Sequence, residues 1–323
     1  MDQAEVLAFL QPGTEVSGAD IADRLGVTRA AVAKAVTQLR QAGYEIEAST
    51  RRGYCLRSMP DHLTTGAIRA LLKDHPWQQS VRAFDVVDST NLQLKRAAAD
   101  GAPAGTVYVA EQQTAGRGRM GRSFVSDSGV GIYLSVLLRP DCTPDRLMTL
   151  TAQTAVAIRR AIFQACGAKA DIKWVNDLLL GGKKICGILT ELSVEAESGR
   201  VAYAVVGIGV NCNQPLEAFP PELQSIAGSI YSQTGKKVDR VQLAAEMIRQ
   251  LSQLPNLDWQ PEYRAACLTL NREVEILRNG QSIPAHALDV GDQAELRVCY
   301  RDGSCGSVNS GEVSVRLDKL AKM

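Results

Sequence analysis

Hydrophobic positions in the first 60 residues recur with the 3.6-residue period of a buried helix face. Val6, Leu7 and Leu10, then Ile21, Ala22 and Leu25, mark two short helices. After a Gly26-Val27-Thr28 turn, Ala31, Val32, Ala35, Val36 and Leu39 predict a helix over about 29–41. The Thr28 hydroxyl stands where it can accept from a free first-turn N–H, and Gly43 ends the helix. The period then changes to two. Residues 44–48 and 54–56 flank a Ser-Thr-Arg-Arg-Gly turn, which predicts a hairpin. Two helices joined by a tight turn and followed by a hairpin outline a winged helix-turn-helix.

Beyond the break at Met59-Pro60-Asp61, the pattern alternates between strand and helix. Helices are predicted at 67–73 and 147–166, the latter long and mostly apolar. Strands are predicted at 81–87, 107–110, 132–138 and 202–210, with a hairpin of 172–180 against 184–193 across Gly181-Gly182. Hairpins mixed with helices indicate an α+β fold rather than a doubly wound sheet. From 274 to 317, short apolar runs are broken by Asn279-Gly280, Gly291-Asp292, Asp302-Gly303 and Ser310-Gly311, the pattern of a small β-barrel or sandwich. The expected division is 1–60, 64–270 and 271–323.

Charge sharpens the first unit. The chain carries 36 Lys or Arg against 35 Asp or Glu, which excludes a protein basic throughout. Yet residues 1–23 hold five acids and no Lys or Arg, whereas 24–57 hold seven basic residues and two acids. A basic second helix and wing suit phosphate neutralisation with the helix N-terminus in the major groove. Thr28, Arg29, Lys34, Arg51 and Arg52 are the candidate DNA contacts; a packing or dimerisation module with a basic surface is the alternative. Apolar runs are too short to span a bilayer, and no basic leader precedes an apolar stretch. The eight cysteines include no C-x-x-C pair and the three histidines are dispersed, so a structural zinc site is not expected. Reduced cysteines and a cytoplasmic location are the expectation.

Four segments carry candidate chemistry. In Gly116-Arg117-Gly118-Arg119-Met120-Gly121-Arg122, glycines allow close approach and positive φ, and arginines offer forked donors to phosphate or carboxylate. The spacing is not that of a Walker A loop, and the same tract would also serve as a basic surface loop contacting RNA. Lys173-Trp174-Val175-Asn176-Asp177 is followed by Lys183-Lys184-Ile185-Cys186-Gly187, where the lysines face a site or simply solvent. Gly207-Ile208-Gly209-Val210-Asn211 places glycines on a strand, marking close approach or a bulge. Asp88-Ser89-Thr90-Asn91 sits where a strand gives way to a helix, a natural N-cap.

Taken together, in this order and at these spacings, the segments resemble the biotin protein ligase family. With the N-terminal module, the chain resembles the bifunctional type that also represses the biotin operon. The resemblance implies a central mixed-sheet, class II synthetase-like domain and a C-terminal SH3-like barrel. It implies that biotin and ATP, with Mg2+, give biotinyl-5′-AMP, and that biotin then passes to a lysine of a biotin carboxyl carrier protein. By resemblance, Ser89, Thr90, Asn91, Gln113, Arg117, Gly118, Arg119 and Lys184 bind biotin. Arg119, Arg122, Phe124, Lys173, Asn176 and Asn211 address the nucleotide, and Lys184 and Arg119 are catalytic. The further implied partners are operator DNA and a second copy of the chain when adenylate is bound. Val175, Phe124 and Leu92 depart from the family pattern, and Phe124 in place of Trp implies weaker nucleotide stacking. A lipoate-type ligase and a ligand-sensing repressor without ligase activity are the alternatives.

Overall fold

The computed structural model describes residues 3–10, 13–49, 52–278, 281–309 and 312–315. The first unit comprises α1 (Gln3–Leu7), β1 (Glu15–Val16), α2 (Gly18–Leu25), α3 (Arg29–Gln41), β2 (Glu45–Ser49) and β3 (Gly53–Ser58). Ser17 and Thr28 cap α2 and α3 by accepting from the N–H groups of Ala19 and Ala31. The strands form a sheet in the order β1-β3-β2, which makes the wing. Val32, Ala35, Val36 and Leu39 are buried, as their spacing predicts, leaving Arg29, Ala30, Ala33, Lys34 and Thr37 on the outward face of α3.

The central unit contains α4 (Thr65–Leu71), β4 (Val81–Val87), α5 (Thr90–Ala99), β5 (Val107–Gln113), β6 (Gly131–Leu138) and α6 (Leu147–Cys166). It continues with β7 (Asp171–Lys173), β8 (Asp177–Leu180), β9 (Lys183–Val194), β10 (Val201–Asn211), α7 (Ile230–Thr234), α8 (Arg240–Ser252) and α9 (Gln260–Ala266). Its seven strands are ordered β4-β5-β6-β10-β9-β8-β7. Only β4 and β5 run parallel, so the sheet is mixed. Helix α6 lays Ala152, Ala155, Val156 and Ile158 into the core. The third unit, β11 (Arg272–Arg278), β12 (Gln281–Val290), β13 (Leu296–Tyr300), β14 (Cys305–Val308) and β15 (Glu312–Val315), is an antiparallel sheet ordered β14-β13-β12-β11-β15.

Two expectations are corrected. Residues 172–180 are not one strand: the chain folds back at 174–176, where the Trp174–Val175 peptide is cis, and β8 pairs antiparallel with β7. The cysteines are not all reduced: Cys299 and Cys305 face each other across β13 and β14 and form a disulfide, because the Asp302-Gly303 turn brings them into register. Arg51, Asn279-Gly280 and Ser310-Gly311 lie outside the described residues.

A buried cluster fastens the linker between the first two units to the second. Arg240, at the start of α8, is fully buried. It donates to Asp61 Oδ1 (2.8 Å) and Asp61 O (2.6 Å), to Glu111 Oε2 (2.8 Å) and Oε1 (3.1 Å), and to Gly131 O (3.1 Å). Glu111 also accepts from Leu63 N–H (2.6 Å) and Gly129 N–H (3.1 Å). A buried charge is tolerated only when paired and hydrogen-bonded, and here both members are.

Candidate active site and nucleic-acid interface

A cavity of 190 Å3 opens where β9 and β10 meet the start of α5 and the loop after β5. Its lining brings together Ser89, Thr90, Asn91, Gln113, Arg117, Gly118, Arg119, Arg122, Phe124, Lys173, Asn176 and Lys184. These come from segments far apart in the sequence. Asn211 sits apart, at the end of β10, buried, with its Nδ2 donating to Gly228 O at 2.9 Å.

One wall is a row of neutral hydrogen-bonding groups. Thr90 N–H donates to Gln113 Oε1 (2.9 Å), and Gln113 Nε2 to Ser126 Oγ (3.0 Å), which donates to Phe124 O (3.0 Å). Ser135 Oγ, on β6, lies 2.7 Å from Thr90 Oγ1 and 2.6 Å from Asn91 Oδ1. Asn91 Nδ2 donates to Glu191 Oε2 (2.9 Å), and Lys95 pairs with Glu191 Oε1 (3.0 Å). Burial raises the Glu191 carboxyl, but the Asn91 and Lys95 donors outweigh it and hold its pKa below the usual value. The strand glycines are there for space. A Cβ at Gly207 would come within 2.2 Å of Asn91 Oδ1, and one at Gly209 within 2.5 Å of the Phe124 ring.

The facing side is cationic. Lys184 Nζ pairs with Asp177 Oδ1 at 2.7 Å, and Arg119 donates to Asn176 Oδ1 at 2.9 Å. Asn176 is fixed in turn by donating to Ile188 O at 3.0 Å. The Gly116–Arg122 stretch is an excursion closed by Gly118 N–H to Arg122 O (2.7 Å) and Phe124 N–H to Gly116 O (3.0 Å). Of its three glycines only Gly121 has positive φ; Gly116 is required because a Cβ would meet Phe124 O at 2.5 Å. Met120, at φ 56°, is 74% exposed at the tip. Among the described residues no group of three His, Cys, Asp or Glu could hold a metal ion, and Asp177 is the one carboxylate lining the cavity.

Ser135 and Glu191 were missed from the sequence. For Ser135 the signal was present, a polar residue inside the otherwise apolar strand β6, where a buried polar group must find a partner; Glu191 lies in a strand with several polar residues and had no such signal.

At the other end of the chain, Arg29 and Lys34 project from the outward face of α3 and make no ion pair among the described residues. The remaining described basic groups of this unit are engaged. Arg40 donates to Ile46 O (2.8 Å), Arg57 pairs with Glu47 (2.7 Å), Arg52 approaches Glu15 (3.4 Å), and Arg24 lies over the Phe9 ring. The exposed Thr28 uses its hydroxyl as the cap of α3.

Residues 83–211 match the model of the Biotin/lipoate A/B protein ligase family, and residues 3–55 match an HTH domain. The chain is 45% identical over 233 residues to the bifunctional ligase/repressor BirA of Bacillus spizizenii, covering 72% of this chain and 71% of that protein. The bifunctional ligase/repressor BirA of Escherichia coli is 28% identical over 320 residues, covering 97% and 96%. The structure of biotin protein ligase from Aquifex aeolicus in complex with biotin and ATP aligns with a TM-score of 0.62 at 28% identity, over 73% of this chain and 98% of that one. Together with the cavity and the N-terminal helix-turn-helix, these likenesses establish that the chain belongs to the biotin protein ligase family, in the branch whose members are bifunctional ligase/repressors.

Proposed function

We propose that the protein joins biotin to ATP, giving biotinyl-5′-AMP and pyrophosphate, and then passes the biotinyl group to a lysine of a biotin carboxyl carrier protein. In the first step a carboxylate oxygen bonds to the α-phosphorus and pyrophosphate leaves. In the second, the lysine amine bonds to the acyl carbon and AMP leaves. The observation that carries this reading is the pairing, in one cavity, of a neutral hydrogen-bonding wall with a cationic side. The wall of Ser89, Thr90, Asn91 and Gln113 suits a polar ring system. Two anions must meet in the first step, so the site needs positive charge more than a general base. Lys184, held by Asp177, supplies it between the carboxylate and the α-phosphate. Arg117, Gly118 and Arg119 fold over the acyl-phosphate, while Arg122, Lys173, Asn176 and Phe124 address the nucleotide, with Asn211 behind them. Mg2+ bound with the ATP phosphates, with Asp177 the carboxylate of the lining placed to help hold it, would screen their charge.

The same chain represses transcription in this reading. Arg29 and Lys34, with Thr28, Arg51 and Arg52, contact operator DNA, and adenylate binding promotes pairing of two copies so that two half-sites are read. The division at about 60 and 270 separates reader, enzyme and β cap. The protein works in the cytoplasm, where its carrier protein and DNA are found. Mass spectrometry of a carboxyl carrier domain incubated with the protein, biotin and Mg·ATP is expected to show addition of one biotinyl group. Adenylate binding without transfer would leave a sensor, and transfer of lipoate instead of biotin would leave a lipoate ligase.

A further inference from the structure

The hydrogens along the neutral wall do not match its contacts. Gln113 has a fixed orientation, because its oxygen must face the Thr90 N–H. Asn91 is fixed from the other end. Glu191 can only accept, so the Asn91 amide nitrogen turns to it, with Leu189 O also 3.4 Å from that nitrogen. The Asn91 oxygen therefore faces Ser135. Between these ends lie three contacts: Asn91 Oδ1 to Ser135, Ser135 to Thr90, and Thr90 to Gln113 Oε1 (3.1 Å). Only two hydroxyl protons are available for them. Asn91 Oδ1 carries none, so Ser135 gives it its own, and the single Thr90 proton must choose between Ser135 and Gln113. The row is one hydrogen short, in a place where Ser135 is fully buried and Asn91 is 4% exposed. A row of oxygens short of hydrogens is rich in acceptors, so it favours a ligand that brings N–H donors, which Asn91 Oδ1 can accept.

We propose that Glu191 is a positioning residue that sets the donor–acceptor polarity of this wall, and thereby its specificity for a ligand that presents N–H donors, such as a cyclic urea. This inference rests on the reading of biotin as substrate. Lys95 makes it testable. In Glu191→Gln one of the two acceptor positions becomes an NH2 group. Lys95 can only donate, so it retains the oxygen, and the NH2 faces Asn91. Asn91 must then turn its oxygen to this introduced NH2 and its own NH2 to Ser135. Three hydrogens now fill three contacts with no ligand, and the wall offers a donor where an acceptor stood.

Pyrophosphate release with biotin and ATP is therefore expected to give, for Glu191→Gln, a biotin KM raised about tenfold or more and an unchanged ATP KM, the loss of one well-matched hydrogen bond. The Tm should not fall, which separates this effect from loss of fold. Lys95→Met alone should leave the biotin KM unchanged, because Glu191 keeps two acceptor oxygens. Lys95→Met added to Glu191→Gln should restore the biotin KM, because the introduced amide is then free to present its oxygen to Asn91. An active wild-type protein whose Glu191→Gln variant keeps its biotin KM, or whose double variant is not restored, overturns the role of Glu191 alone. A wild-type protein without biotin-dependent pyrophosphate release overturns the biotin reading and this inference with it.

Discussion

The two sides of the cavity are built on different principles. On one side, Ser89, Thr90 and Asn91 are 2%, 3% and 4% exposed, and strand glycines let Asn91 and Phe124 close against the sheet. On the other, the arginines stand on a loop whose tip, Met120, is 74% exposed, and Lys184 is steadied by one acid. A buried polar row discriminates because any mismatch leaves a group unpaired at a cost of about 1–3 kcal/mol. An exposed cationic loop attracts phosphate of many shapes, and its strength depends on how completely water is excluded. In the proposed reading, selectivity for the ring and catalysis at the phosphate are thus separable within one site.

Substitutions on the two sides should then fail in different ways. The largest effect is expected for Lys184→Ala, which in the proposed reaction removes charge where two anions would meet. Adenylate formation, followed by pyrophosphate exchange, should fall by about two to three orders of magnitude, with biotin binding by calorimetry retained. Loss of biotin binding instead would mean that the lysine belongs to the selective side. Next is Arg119→Gly, which removes the Asn176 contact and, in the proposed reading, a phosphate donor. The adenylate should dissociate about tenfold faster in a chase experiment, as for a charged hydrogen bond lost, while biotin KM holds. The smallest effect concerns a second cationic surface, α3, which has no acid steadying it among the described residues. Replacing Arg29 and Lys34 by Ala should lower the slope of log affinity against log salt by about two in operator gel shifts. An unchanged slope would place the DNA on another face.

How much was legible in the sequence follows the range over which each feature is determined. The long helix was predicted at 147–166 and runs Leu147–Cys166, because its apolar period is unbroken and Gly167 stops it in the left-handed conformation. The hairpin of the wing and strands β4, β6 and β10 were legible by the same local logic. The fold-back at 174–176 was not, since nothing in the apolar pattern of 172–180 marks a reversal; Trp174 is instead held from far away, its Nε1 donating to Ala294 O at 2.8 Å. The cationic side of the site could be read from motifs because its residues fall in two short stretches, 116–122 and 173–184. The neutral wall could be read only in part. Ser135 and Glu191 meet Asn91 across 44 and 100 residues of chain, and the Asn91 side chain gains its orientation only from that meeting.

The Arg240 clamp has a practical corollary for separating the enzyme from its reader. A polypeptide that begins at Thr64 lacks both Asp61 contacts and the Leu63 N–H, leaving a fully buried guanidinium with fewer counterparts. One that begins at Pro60 keeps them. The shorter polypeptide should be less stable by about 1–3 kcal/mol, the cost of leaving buried polar groups unpaired while the Glu111 pair persists, which chemical denaturation would measure. Acid should find the same spot. Burial pushes the Glu111 carboxyl up, but Arg240 and the Leu63 and Gly129 N–H groups outweigh it, so its pKa lies below the ordinary glutamate value. Its contribution is therefore complete above that ordinary value and lost as pH falls through the depressed one, and Glu111→Gln should flatten this acid limb of a Tm–pH curve. The seam along which this protein can be divided is drawn by the counterions of one arginine, on the reader's side of where the helices alone would put the cut.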